Sequence, residues 1–135
     1  MEKISKLKNK LNEFNLDGYL IPKNDEFFSE YVPLHKDDLQ YITNFSGSYG
    51  LALILKKSNF LFVDGRYTIQ ASIESGRNFK ILPHPFFVKR NSLKLKNKRI
   101  GFDPKLFNES FIKRFSNKFK IECTAVNKNL SLIHI

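Results

Sequence analysis

Hydrophobic positions divide the chain into ten short elements. Ile4, Leu7, Leu11 and Phe14 recur at three- and four-residue steps, the period of a helix with one buried face, and Asn15 with Asp17-Gly18 stops it. Tyr19-Leu20-Ile21 is a brief apolar run closed by Pro22, read as a buried strand. Residues 23–36 have no clean period; Phe27, Phe28 and Tyr31 stand among Asp25, Glu26 and Glu30, and a structured loop with room for one short helix is expected. Leu39, Ile42 and Phe45 step by three, which predicts a helix over Asp37–Phe45, broken by Asn44, Gly47, Ser48 and Gly50.

Leu51–Leu55 and Phe60–Val63 are continuously apolar around the polar link Lys56-Lys57-Ser58-Asn59, a hairpin buried on at least one face. Asp64 then caps a helix over Arg66–Glu74, which carries Tyr67, Ile69, Gln70 and Ile73 and stops at Gly76. Phe79–Leu82 and Arg99–Phe102 read as strands, with the basic span Asn91–Lys98 between them as an exposed turn. Asn108 can cap a helix carrying Phe111, Ile112 and Phe115. Phe119, Ile121, Cys123 and Ala125 alternate with polar residues, the signature of a half-exposed strand. The order α-β-α-β-β-α-β-β-α-β predicts an α/β fold: a single three-layer domain, a mixed sheet of about six strands flanked by helices.

Composition narrows the class. A chain of 135 residues with 41% apolar residues and 14 Phe can bury a core, so disorder is excluded as the main reading. One Cys excludes a disulfide scaffold, and the absence of an apolar leader behind Met1 fits a cytoplasmic protein. No run approaches the ~18 apolar residues of a membrane span. The net charge of +10 raises the prospect of an anionic partner. However, the 23 cations are 18 Lys and 5 Arg beside 13 Asn, a bias that AT-rich coding also produces, so nucleic acid is not the expected partner.

Candidate chemistry is sparse. His35, His84 and His134 are far apart, with no His-x-x-x-His or paired Cys, so no metal site can be named. Gly47-Ser48-Tyr49-Gly50 lacks the spacing of a nucleophile elbow and reads as a turn. Adjacent Asp37 and Asp38 favour the start of a helix rather than an acid–base pair. In Asp64-Gly65-Arg66-Tyr67, Arg66 has the reach for a bidentate grip on a carboxylate or peptide terminus, although a capping Asp with an internal ion pair explains the same residues.

Three blocks carry a family resemblance: Asp25–Pro33, Ile42–Gly50 and Val63–Ala71, with Asp17–Pro22 and Gly101–Pro104 in matching places. Together they resemble the N-terminal domain of Xaa-Pro aminopeptidases, the creatinase/prolidase N-terminal domain of the pita-bread metallopeptidases, over roughly residues 3–129. The chain departs from the pattern at Phe27, where His is frequent, at Asp38, where Arg is frequent, and at Asn44, which replaces Gly. The resemblance implies a non-catalytic domain that shapes the substrate cleft and a homodimer. Two divalent metals, usually manganese, would lie on Asp, Asp, His, Glu and Glu of a separate C-terminal catalytic domain, which releases a residue preceding proline. No catalytic residue is expected in this chain; Asp64, Arg66, Tyr67, Phe27 and Tyr31 are the expected substrate-neighbouring or structural residues.

Leu130–Ile135 resembles a translated transposon-end sequencing adapter. The expected organisation is therefore a domain over 1–129 and a foreign tail over 130–135, with the catalytic domain missing. Alternatives are the same domain of a prolidase or creatinase relative, a freestanding interaction domain, or a basic nucleic-acid module.

Overall fold

A computed structural model describes residues 2–23, 38–47, 49–89 and 93–126. Its elements follow the predicted order. They are α1 (Glu2–Glu13), β1 (Gly18–Pro22), α2 (Asp38–Thr43), β2 (Leu51–Leu55), β3 (Asn59–Phe62), α3 (Thr68–Ser75), β4 (Lys80–Leu82), β5 (Arg99–Phe102), α4 (Glu109–Phe119) and β6 (Glu122–Ala125). One-turn 3-10 segments at Gly65–Tyr67 and Pro85–Phe87 precede α3 and follow β4.

The six strands form one mixed sheet in the order β4-β3-β2-β1-β5-β6. β2 runs antiparallel to both β1 and β3, while β1–β5, β5–β6 and β3–β4 are parallel. Five strands thus share a direction, and their carboxyl ends share one edge. β1 and β2 are buried at every position, because layers cover both faces and an unbroken apolar run is what such a position needs.

On one face, Leu7 and Leu11 of α1, Leu39 and Ile42 of α2 and Ala71 of α3 pack over Tyr19, Ile21, Ala52, Ile54, Leu61 and Val63. On the other, Leu20, Leu53, Phe60, Phe62 and Ile100 meet Val88, Leu93, Leu95 and the α4 residues Ile112, Phe115 and Phe119. This is the expected three-layer α/β domain.

Several local expectations change. The second helix ends at Thr43 because the Thr43 hydroxyl donates to Leu39 O (2.7 Å) and accepts from Phe45 N (3.0 Å), and Asn44 then turns left-handed at φ 65°. Gly76 does stop α3, but with φ −62°; a Cβ there would meet Ser72 O at 2.4 Å, so closeness and not handedness requires glycine. Along α3, whose inward face the periodicity left open, Ala71 and Ser75 are buried while Ile69 and Ile73 are 78% and 80% exposed. Of the Asn91–Lys98 span, the described part is not a simple exposed turn: Leu93 and Leu95 are buried while Lys94 and Lys96 face solvent. Phe119 belongs to α4; Lys120 adopts the left-handed cap at φ 56° and the last strand begins only at Glu122.

Candidate functional site

The carboxyl edge of the parallel strands is where open α/β sheets present loops to ligands. Asp64 leaves β3 there. Its Oδ1 accepts from the Arg66 backbone N–H at 3.0 Å and from Arg66 Nε at 3.4 Å, and its carbonyl accepts from Tyr67 N at 2.8 Å. The turn is completed by the Thr68 hydroxyl, which donates to Gly65 O at 3.1 Å. The backbone N–H of Arg66, then its guanidinium, hold the Asp64 carboxyl below its usual range. Arg66 is largely exposed and its guanidinium lies 5.5 Å from the Tyr67 ring centroid. Tyr67 sets its ring edge-on against Phe45 at 6.1 Å. Asp64 is therefore a cap with an ion pair, and it leaves Arg66 outside, at the rim.

Two residues not singled out for this edge join it. Leu51 pairs with Phe62, so extending the register by two brings Tyr49 beside Asp64. Tyr49 stacks on His84, with centroids 5.5 Å apart and planes 12° apart. Burial, with the negative charge of Asp64 adding to it, pushes the Tyr49 hydroxyl up to about 12, so it stays a donor at neutral pH. His84 Nδ1 accepts from Phe86 N at 3.3 Å and starts the Pro85–Phe87 turn. Burial first, then the cations Arg114 and Lys118, lower its pKa against the opposing pull of Asp64. The signal for both residues was pairing register, since each lies two positions from the end of a strand next to β3. Beside Tyr49 a cavity of about 270 Å³ opens, with Pro22, Lys23, Phe107, Asn108 and Phe111 also in its wall.

Behind this edge, the blocks Ile42–Gly50 and Val63–Ala71 meet. Glu74 accepts from Ser46 N at 2.9 Å and from Ser46 Oγ at 3.0 and 3.2 Å, and Gln70 Nε2 donates to Ser46 Oγ at 3.0 Å and to Glu74 at 3.3 Å. The buried Ser75 hydroxyl donates to Thr43 O at 2.6 Å. Together these bonds latch α3 to the turn that leads into Tyr49.

Phe27 and Tyr31, like Asp25–Pro33 as a whole, His35, Ser48 and His134, lie outside the described residues. Among the described residues no three His, Cys, Asp or Glu side chains converge to hold a metal ion, so a di-metal centre finds no donor set there and no metal-dependent step is assigned to them. No described helix is long and apolar enough to cross a membrane.

Comparison with known proteins gives this geometry its context. Residues 3–131 match the family model described as Creatinase/Prolidase N-terminal domain. Xaa-Pro aminopeptidase 1 of Dictyostelium discoideum is 36% identical over 81 residues, covering 60% of this chain and 13% of the relative. Xaa-Pro aminopeptidase 2 of Rattus norvegicus is 29% identical over 110 residues, covering 78% and 16%. The chain thus spans less than a fifth of the length of these curated relatives.

Among solved structures, the cytosolic, di-nuclear X-prolyl aminopeptidase of Caenorhabditis elegans superposes with a TM-score of 0.80 at 22% identity, over 96% of this chain and 24% of that one. The N-terminal domain of the cytoplasmic peptidase PepQ of Mycobacterium tuberculosis gives 0.70 at 18%, over 93% and 92%. At these identities the likeness speaks for the fold. The family match over nearly the whole chain, on a sheet of this order with two of the three blocks latched together, means that the chain belongs to the creatinase/prolidase N-terminal domain family.

Proposed function

We propose that the chain works as the non-catalytic N-terminal domain of an Xaa-Pro aminopeptidase, an enzyme that releases the residue preceding proline. The observation that carries this reading is the family match over residues 3–131 in a chain that spans only 13–16% of relatives named for that activity. The domain runs over 1–129. Its partner is a C-terminal catalytic domain holding two divalent metals, manganese for preference, in a cytoplasmic homodimer.

The carboxyl edge forms one wall of the substrate cleft. Arg66 is the residue that reaches toward the peptide, since Asp64 fixes its backbone and its guanidinium is exposed. Asp64 and Tyr67 hold that turn in place, and Phe27 and Tyr31 are further residues proposed as substrate-neighbouring or structural.

The purified chain, given Mn²⁺ and an Arg-Pro-Pro peptide, is expected to release no arginine; metal-dependent turnover would refute the reading. Sequencing past codon 129 in the source genome is expected to show a downstream domain with the five metal-binding side chains. In an enzyme carrying both domains, Arg66→Ala raises KM for the peptide and leaves kcat nearly intact.

A prolidase-type parent is the second reading. It is favoured by the Xaa-Pro dipeptidase of Bacillus anthracis, 25% identical over 93% of this chain with a TM-score of 0.71. Preference for dipeptides over tripeptides in the two-domain enzyme would select it.

A further inference from the structure

The net charge is not spread along the chain. Residues 85–120 hold eleven Lys and Arg against two Asp and Glu, a net +9, whereas residues 1–84 sum to +1 and residues 121–135 to zero. A coding bias toward Lys adds cations everywhere; it does not remove acids from one segment. Folding keeps this segment together. Val88, Leu93, Leu95, Leu106, Ile112 and Phe115 all enter the same core cluster, so the described stretches on either side of β5 pack on one face of the sheet. Its cations stay outside: Lys89, Lys94, Lys96, Lys105, Lys113, Arg114 and Lys120 are exposed.

Within this basic layer stands Phe87, 82% exposed, the most exposed of the large hydrophobic side chains described. The turn under it is fixed rather than loose. His84 Nδ1 accepts from Phe86 N, Lys118 Nζ donates to Phe86 O at 2.7 Å, and the Arg114 guanidinium lies 4.3 Å from the Phe86 ring centroid. Phe86 is therefore held against α4 and Phe87 is turned outward. Phe87, Val88, Lys89 and Lys118 surround an open cleft of about 520 Å³. An exposed ring on a hydrogen-bonded turn, an open surface beside it and neighbouring cations are the components of a stacking platform for an unpaired base whose phosphates run over lysines.

From this we infer that the face built by residues 85–89 and α4 binds single-stranded nucleic acid, with Phe87 stacking on a base and Lys89, Arg114 and Lys118 beside the backbone. A membrane is the weaker fit, because a lone exposed ring offers little to bury among lipid tails. A duplex is also weaker, because its bases are already stacked. This activity is independent of the aminopeptidase reading.

The test uses the purified 135-residue chain and a fluorescein-labelled 20-mer of dT, followed by anisotropy from 50 to 200 mM KCl. Binding is expected with a log–log salt slope of about −3 or steeper, the mark of roughly four or more neutralised phosphates. Phe87→Ala should weaken binding about 5- to 100-fold with the slope unchanged. Lys89→Gln with Lys113→Gln should flatten the slope by about 1, and Lys6→Gln with Lys10→Gln on α1 should leave it alone. Circular dichroism confirms that each variant is folded.

No binding at 50 mM KCl overturns the inference. So does affinity indifferent to Phe87, or equal loss from the α1 pair, either of which means diffuse attraction by lysines. Tighter, Phe87-dependent binding to vesicles of phosphatidylcholine and phosphatidylserine overturns it in favour of a membrane surface.

Discussion

The two faces of the sheet are held by different means. On the α1–α3 face, polar groups complement the apolar packing: Glu74, Gln70 and Ser46 bind one another, Ser75 binds Thr43, and Thr43 closes its own helix. On the α4 face, rings follow rings. Phe102 meets Phe107 edge-on at 5.9 Å, Phe107 stacks on Phe111 at 5.8 Å, Phe111 on Phe115 at 5.8 Å, and Phe115 tilts against Phe119 at 4.9 Å. A hydrogen-bonded latch requires particular side chains at particular places, whereas a ring ladder mainly requires volume. That is why two of the three blocks that reveal the family lie on the latched face, while the other face announces itself mostly as a high content of Phe.

The largest expected effect tests the ladder. Phe115 is fully buried between two other rings, and Phe115→Ala should cost about 3–5 kcal/mol in urea unfolding, whereas Phe115→Leu should cost much less. If Phe115→Leu proved as damaging as alanine, the ladder would depend on ring geometry, and the contrast between the faces would fall.

The latch is tested by Ser75→Ala, which strands the buried Thr43 carbonyl and should cost about 1–3 kcal/mol despite losing a single oxygen. A cost indistinguishable from zero would make the latch ornamental.

A smaller effect depends on pH. His84 has a lowered pKa in the fold because burial and the cations Arg114 and Lys118 oppose its charge, and only the neutral ring accepts from Phe86 N. Below pH 6.5 the unfolded chain therefore binds more protons at this site than the folded one. The stabilisation is complete above 6.5 and is lost as pH falls through the folded value. Urea midpoints between pH 7.5 and 5.5 should fall less in His84→Gln than in the parent; an equal fall would assign the dependence elsewhere.

The mildest test is chemical. Burial against the ring face pushes the Cys123 thiol up to about 11, despite a hydrogen bond with Ser116 that lowers it. Alkylation by iodoacetamide at pH 8 should be roughly a hundredfold slower in the folded chain than in urea. Equal rates would show that the β6 edge opens freely.

The sequence reading succeeded where a residue's fate was decided within its own element. The strands β1, β2, β3 and β5, the cap at Asn108 and the turn at Asp64 follow from short-range pattern, and Asn108 does accept from Ser110 N at 2.8 Å. It missed where tertiary packing chose between equivalent faces. The periodicity of α3 left its inward face undecided: Ala71 and Ser75 are buried while Ile69 and Ile73 are exposed. Phe119 kept the alternating pattern of a strand while finishing a helix, because period 2 over one step cannot be told from a helix end followed by a left-handed residue. Of the expected site, the Asp64–Arg66 turn was visible in four adjacent letters. Tyr49 and His84 were not, because pairing register and not sequence spacing brings them to Asp64.

The antiparallel β2 has a consequence for how the chain reaches this state. β1, β2 and β3 pair with one another within residues 18–62, whereas β1 finds β5 only across a separation of about 80 positions, fixed at its start by Arg99 N donating to Asp17 Oδ2. Closing so long a loop is entropically costly, so the central meander should assemble before the α4 half arrives. During synthesis on a ribosome, the first half of the sheet can then gain hydrogen-exchange protection while the second is still being made.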